Sequence, residues 1–198
     1  MELNILVVGV GGQGALTTAH LIARSAMKAG LNVLVAETHG MAQRGGSVEV
    51  HVRIGDVHSP LIPDCGADIV LALEPSEALR YAKYLNESSK ILLNSRKIVP
   101  PSVTVGLAKY PAIEEIVENL RKITKEIYVV NASEIAEKAG DAVTANVVIV
   151  GMMLSLLKLP FSIKDVEEVI TETMGKAELN LKALKMGYTF KEAPLSEE

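Results

Sequence analysis

The stretch Val7–Thr17, VVGVGGQGALT, decides how the rest of the chain is read. An apolar run passes directly into Gly9, Gly11, Gly12 and Gly14, and a helix-forming segment follows. Strand, glycine-rich turn and helix in that order form the G-x-G-x-x-G arrangement of a dinucleotide-binding unit. The underlying physics is that of an anion site. Glycines permit a tight turn and let a ligand approach the backbone closely. The helix that follows aims free N–H groups and its positive dipole end at the loop. Thr17 and Thr18 add hydroxyls in its early turns, and Glu37 stands where an NAD enzyme holds the ribose hydroxyls. By itself the pattern leaves three readings open: a dinucleotide, another phosphate-bearing ligand, or close strand–helix packing with no ligand.

Outward from this loop, five short runs are almost uninterrupted apolar residues: Ile5–Val8, Val33–Ala36, Ile69–Leu73, Ile91–Leu93 and Ile127–Val130. Such runs alternating with helical patterns predict a parallel sheet covered on both faces. Ser47–Ile54 differs, with Val48, Val50, Val52 and Ile54 on one face and Glu49, His51 and Arg53 on the other. Strict alternation predicts a strand near an edge or pairing antiparallel, its polar face meeting water, a ligand or a partner. Ile113, Ile116, Val117 and Leu120 recur at helical spacing, with acidic residues first and basic residues last, as the helix dipole favours. Ser162 and Asp165 form a capping-box pattern, and Gly187 is expected to end the last helix. The expected fold class is α/β: a three-layer α/β/α, Rossmann-like arrangement with a mostly parallel, mixed sheet. Residues 1–190 are expected to form one domain, followed by a polar tail at 191–198.

Composition limits function. In 198 residues, 48% are hydrophobic and 22% charged, the balance of a folded protein. Twenty basic against 24 acidic residues give a net charge of −4, and only 4% are aromatic. Neither the basic stripe nor the stacking platforms of nucleic-acid binding are present. The longest charge-free apolar stretch, Ala142–Leu157, has 16 residues and reads as a buried helix, short of the ~20 that span a bilayer. No signal-peptide pattern precedes the run from Leu3, and a lone thiol, Cys65, fits a reducing compartment, so a cytoplasmic location is expected. His20, His51 and His58 show no metal-ligand spacing with one another or with Cys65.

A second glycine-rich segment, Glu37–Gly55, reads ETHGMAQRGGSVEVHVRIG. Together with GVGGQG at Gly9–Gly14 it closely resembles the γ domain of 2-oxoacid:ferredoxin oxidoreductases. Val10 in the first loop and THGMAQRGGSV in the second are most similar to the indolepyruvate type. GDAVTANVVIVG at Gly140–Gly151 and the closing helix with Asn180 and Gly187 also fit, so the likeness covers essentially the whole chain. The resemblance implies oxidative decarboxylation of a 2-oxo acid, here an aryl pyruvate. In that family thiamine diphosphate forms the carbanion, 4Fe-4S clusters pass electrons to ferredoxin and coenzyme A receives the acyl group.

This chain cannot supply all of that. One cysteine does not ligate a cluster, and Gly140-Asp141-Ala142 lacks the second glycine of a thiamine diphosphate motif. It is therefore expected to hold no cofactor alone. Its expected partner is a larger catalytic subunit carrying the thiamine diphosphate and iron–sulfur clusters, through which it meets ferredoxin. A stand-alone NAD(P)- or flavin-binding oxidoreductase, and a purely structural subunit, are the competing readings.

The expected ligand-contacting set is Gly9, Gly11, Gly12, Gln13, Gly14, Arg44, Gly45 and Gly46. Arg44, set beside two glycines, offers a planar fork to a phosphate or carboxylate; the competing role is a surface pair with Glu49 or Glu37. His39 in the same loop is a candidate hydrogen-bond donor or proton shuttle, with satisfaction of loop carbonyls as the simpler role. No catalytic residue is assigned beyond these two candidates.

Overall fold

All five continuous apolar runs are strands, because both faces of the sheet they build are covered. The computed structural model describes residues 2–38, 46–107 and 109–190. His39, Arg44, Gly45 and the polar tail 191–198 lie outside the described residues. Strands β1 (Glu2–Val10), β2 (Val33–Thr38), β3 (Ser47–Gly55), β4 (Ile69–Ala72), β5 (Lys90–Asn94) and β6 (Glu126–Val130) form one sheet, ordered β2-β3-β1-β4-β5-β6. β1, β4, β5 and β6 run parallel, whereas β3 pairs antiparallel with both β1 and β2.

Alternate side chains of each central strand enter opposite cores. Ile5, Val7, Leu71, Leu92 and Val130 pack under α1 (Ala15–Lys28), α5 (Ala132–Ala139), α6 (Ala145–Leu156), α7 (Ile163–Thr173) and α8 (Ala177–Tyr188). Leu6, Val8, Val70, Leu93 and Ile127 pack on the other face under α2 (Pro75–Arg80) and α4 (Ile113–Arg121). The short helix α3 (Pro101–Thr104) follows β5. The expected three-layer α/β architecture is the one found. The capping box of α7 is closed in both directions by Ser162 and Asp165.

Three local expectations are corrected. β3 pairs antiparallel and lies one strand in from the sheet edge, as expected, but its polar face does not stand open: His51 is fully buried. The residues between β3 and β4 fold back over it, which a period-2 pattern cannot reveal. The apolar stretch from Ala142 is helical as α6 only from Ala145. Asp141 caps a single 3-10 turn at Ala142–Thr144, which leaves Val143 67% exposed. Gly187 lies within α8 rather than beyond its end. A Cβ there would stand 2.1 Å from the carbonyl oxygen of Val148, and one on Gly151 would stand 2.2 Å from that of Leu184. These glycines let α6 and α8 cross backbone to backbone.

Candidate functional site: two clefts at the first glycine loop

The loop between β1 and α1 is held from within. Gly14 takes the left-handed conformation, φ 80°, at the N-cap of α1, where a side chain would be strained. Gln13 folds its amide back into the turn. Its Oε1 accepts the Val10 N–H at 2.8 Å and its Nε2 donates to the Leu73 carbonyl at 2.8 Å. Gly9 leaves room for that amide, since a Cβ there would lie 2.9 Å from Gln13 Oε1. The Gly11 N–H donates to the Gly46 carbonyl at 2.7 Å, so the two glycine-rich segments touch there. Thr18 is buried and its hydroxyl donates to the Gly14 carbonyl at 2.9 Å, which removes it from the surface. The Gly12 N–H and the N–H groups of Ala15 to Thr17 have no backbone acceptor among the described residues.

Two clefts, of about 430 and 490 Å³, open on either side of this turn and share Gly12, Gln13, Val143 and Asn146. They lie at the carboxyl ends of β1, β4 and β5, where open α/β sheets bind ligands. The first is completed by Asn94, Arg96 and Lys97, and the second by Thr17, Lys176 and Asn180. Asn94 is fully engaged, donating to the Leu73 carbonyl at 3.2 Å and accepting the Ala132 N–H at 3.1 Å. It thereby ties the ends of β4 and β5 to α5. The Asn146 amide reaches the Gly14 carbonyl at 3.5 Å and fixes the start of α6 against the loop.

The electrostatics of both clefts have one sign. Among the described lining residues the ionisable groups are Arg96, Lys97 and Lys176, with no carboxylate, imidazole or thiol. Arg96 makes an exposed ion pair with Glu137 at 3.7 Å, and Lys176 one with Asp141 at 3.3 Å. The Lys97 ammonium lies 5.5 Å from the Tyr110 ring centre. Helix α1 adds its dipole and free N–H groups. Amides, hydroxyls, free N–H groups and cations are groups that bind and orient an anion.

The sequence-selected residues separate accordingly. Gly9, Gly11, Gly12, Gln13, Gly14 and Gly46 come together, with Gly12, Gln13 and Gly14 on the cleft walls. Glu37 does not join them. β3 is inserted between β1 and β2, which puts Glu37 two strand spacings, about 10 Å, from β1. It pairs with His20 at 3.2 Å instead. The NAD(P) reading thereby loses the carboxylate it needs beside the loop. His58 is exposed, 3.8 Å from Asp56, and Cys65 is exposed. No group of three potential metal ligands occurs among the described residues. Asn94, Arg96 and Lys97 escaped sequence reasoning, although their place directly after a parallel strand is a usable signal. Asn146 and Asn180 sat within segments already noted for the family resemblance.

The chain matches the family model described as pyruvate ferredoxin/flavodoxin oxidoreductase over residues 4–190. It is 66% identical over 190 residues to the indolepyruvate oxidoreductase subunit IorB of Archaeoglobus fulgidus, covering 95% of this chain and 94% of that one. Its fold is similar to the gamma subunit of a keto/oxoacid ferredoxin oxidoreductase from Geobacter sulfurreducens. That match has TM-score 0.69 and 24% identity over 94% of this chain and 96% of that one. A 2-oxoglutarate:ferredoxin oxidoreductase from Magnetococcus marinus, solved with 2-oxoglutarate, coenzyme A and succinyl-CoA bound, matches with TM-score 0.70 at 20% identity. The overlap is 94% of this chain and 30% of that one.

Proposed function

Because this chain belongs to the pyruvate ferredoxin/flavodoxin oxidoreductase family, we propose that it is the smaller subunit of a ferredoxin-dependent 2-oxoacid oxidoreductase acting on indolepyruvate or related aryl pyruvates. One observation carries the reading: clefts built from glycine N–H groups, amides and cations, with no carboxylate, imidazole or thiol among their described residues. Such a chain positions an anionic reactant and leaves the chemistry to another subunit.

Coenzyme A is the reactant whose phosphates fit these walls, with Gly12, Gly14, Arg96, Lys97 and Lys176 as the groups that would hold them. Arg44 and Gly45, just before Gly46, are proposed to complete the phosphate contacts from the second glycine segment. His39 in that segment is proposed as a hydrogen-bond donor to the same ligand. When bound, thiamine diphosphate and the 4Fe-4S clusters supply the carbanion and the path for electrons. One cysteine cannot ligate a cluster, and Gly140-Asp141-Ala142 lacks the second glycine of a thiamine diphosphate motif, so both groups are assigned to the larger partner. No helix of the described residues is long and apolar enough to cross a membrane. A cytoplasmic complex is the reading that the single thiol supports.

Val143 lines both clefts, and residues 95–107, which leave the end of β5 at the first cleft, carry the exposed aliphatic side chains Val99, Val105 and Leu107, with Leu107 83% exposed. Exposed apolar groups gathered at one edge suit a surface that a larger subunit covers. Co-expression with that subunit tests the whole reading. The complex should reduce ferredoxin or a dye only when aryl pyruvate and coenzyme A are both present, and this chain alone should be inert. Turnover or tight NAD(H) binding by the isolated chain would overturn it.

A further inference from the structure

The polar face of β3 holds a buried imidazole that the anion clefts do not use. His51 is fully buried, and its Nδ1 accepts the Ile62 N–H at 3.2 Å. A neutral ring that accepts at Nδ1 carries its proton on Nε2. Nε2 faces the Glu49 carboxylate at 4.0 Å and has no hydrogen-bond partner among the described residues. The Tyr84 ring meets the imidazole edge-on, with centroids 5.2 Å apart. The Lys83 ammonium lies 4.6 Å from the Tyr84 ring centre and 3.9 Å from an Asp64 oxygen. The covering segment, residues 57–67, is anchored at its far end, where Cys65 and Ala67 donate N–H groups to the carbonyls of Lys83 and Tyr84, each at 2.9 Å. Its near end is exposed at His58 and Leu61. In its middle, the Ile62 N–H bond to His51 ties it to the sheet, next to the Arg53 guanidinium of β3, which donates to the carbonyls of Ser59 at 2.8 Å and Leu61 at 3.4 Å.

We propose that His51 is a pH-operated latch: the neutral imidazole pins Ile62, in the middle of the 57–67 segment, to β3, and protonation releases that residue. An imidazolium bears hydrogen on both nitrogens, so Nδ1 ceases to accept and two donors confront each other across the Ile62 bond. The charges facing the ring are divided. Glu49, on the same strand, favours the cation, while Lys83, from the neighbouring element, opposes it. Burial outweighs Glu49 and holds the imidazole below its ordinary range. Burial also pushes the Tyr84 hydroxyl up, so it adds no charge near neutral pH. The sign follows. The open segment exposes a histidine that takes up a proton near its ordinary value of about 6.5, whereas the closed one resists it. The latch therefore holds fully above that value and weakens as pH falls below it. Because β3 follows directly on Gly46, whose carbonyl accepts the Gly11 N–H, the latch sits on a strand tied to the first glycine loop.

Hydrogen exchange of the Ile62 amide in the full chain, corrected for intrinsic chemistry, tests this. Opening should be independent of pH above about 7 and rise as pH falls below about 6, with a limiting slope of about tenfold per unit for one proton. In His51→Gln, whose amide oxygen accepts the same N–H without titrating, that rise should vanish. An equal rise in the variant would overturn the proposal. Nitrogen-15 imidazole spectra of the unaltered chain give a reading that needs no variant. The Nε2–H tautomer is expected while Ile62 is protected. An imidazolium coexisting with a protected Ile62 amide would refute the latch.

Discussion

Gln13 occupies the position in the first loop where a ligand would otherwise meet bare backbone. Its amide serves the Val10 N–H and the Leu73 carbonyl at once, welding the turn to β4. Gln13→Ala takes the acceptor from the Val10 N–H and leaves the Leu73 carbonyl with Asn94 as its donor; it should lower stability by about 1–3 kcal/mol, read as a fall in melting temperature. An unchanged melting temperature would mean that the clamp is dispensable. Glu74 plays a comparable part on the other face. Fully buried, its carboxylate accepts the N–H groups of Ser76 at 2.7 Å and Ile98 at 3.2 Å, and also the hydroxyl of Tyr110. It thereby fastens the residues after β5 to the start of α2. Tyr110→Phe should cost about 1.5–3 kcal/mol in denaturant unfolding, because the bond it removes goes to a charged group. Burial and Glu74 hold the Tyr110 phenol well above its usual range. Its contribution is therefore intact below the free phenol's value of about 10 and declines as pH rises past it.

At the scale of elements, the α6–α8 crossing depends on two missing side chains. Helix α6 is apolar all round because α8 and α5 pack on it while the sheet lies beneath, and Ile149, Val150, Met152 and Met153 are fully buried. Gly151→Ala or Gly187→Ala drives a methyl group into a backbone carbonyl of the other helix, where no side chain can yield. Each should destabilise the chain by about 1–3 kcal/mol, and the double variant by less than the sum, because one separation of the helices relieves both clashes. Chemical denaturation of the three variants measures this directly. Full additivity would show that the two contacts are independent. A similar dependence of identity on neighbours governs β3, whose polar residues are interior groups only because residues 57–67 lie over them.

At the scale of the molecule, all the cations of the cleft walls and several exposed aliphatic residues gather at the carboxyl edge of one sheet. Replacing Arg96 and Lys97 with Gln should raise the Michaelis constant of the assembled enzyme for coenzyme A several-fold. Unfolding of the isolated chain should be nearly unchanged, since exposed charges contribute little to stability. Equal Michaelis constants in the two enzymes would remove these residues from the site. Val105→Asp with Leu107→Asp should weaken capture of the larger subunit without altering the melting temperature, because both side chains are exposed in this chain. Undiminished assembly would place the partner on another face.

Much of this was legible before any fold was known. The five apolar strands, the alternation of β3, the Ile113–Arg121 helix and the Ser162–Asp165 capping box all follow from local periodicity and short-range hydrogen bonding. These report how a segment presents its faces. The two glycine-rich segments, read together, also pointed to the family. What periodicity cannot encode is which segment covers which face. Insertion of β3 between β1 and β2 moved Glu37 away from the loop, and the fold-back over β3 buried His51. The approach of α8 turned Gly187 from an expected helix stop into a packing residue. The cleft walls drew Asn94 and Arg96, Asn146, and Lys176 from three distant parts of the chain. Those outcomes depend on contacts between residues far apart in sequence, and the tertiary structure alone decides them.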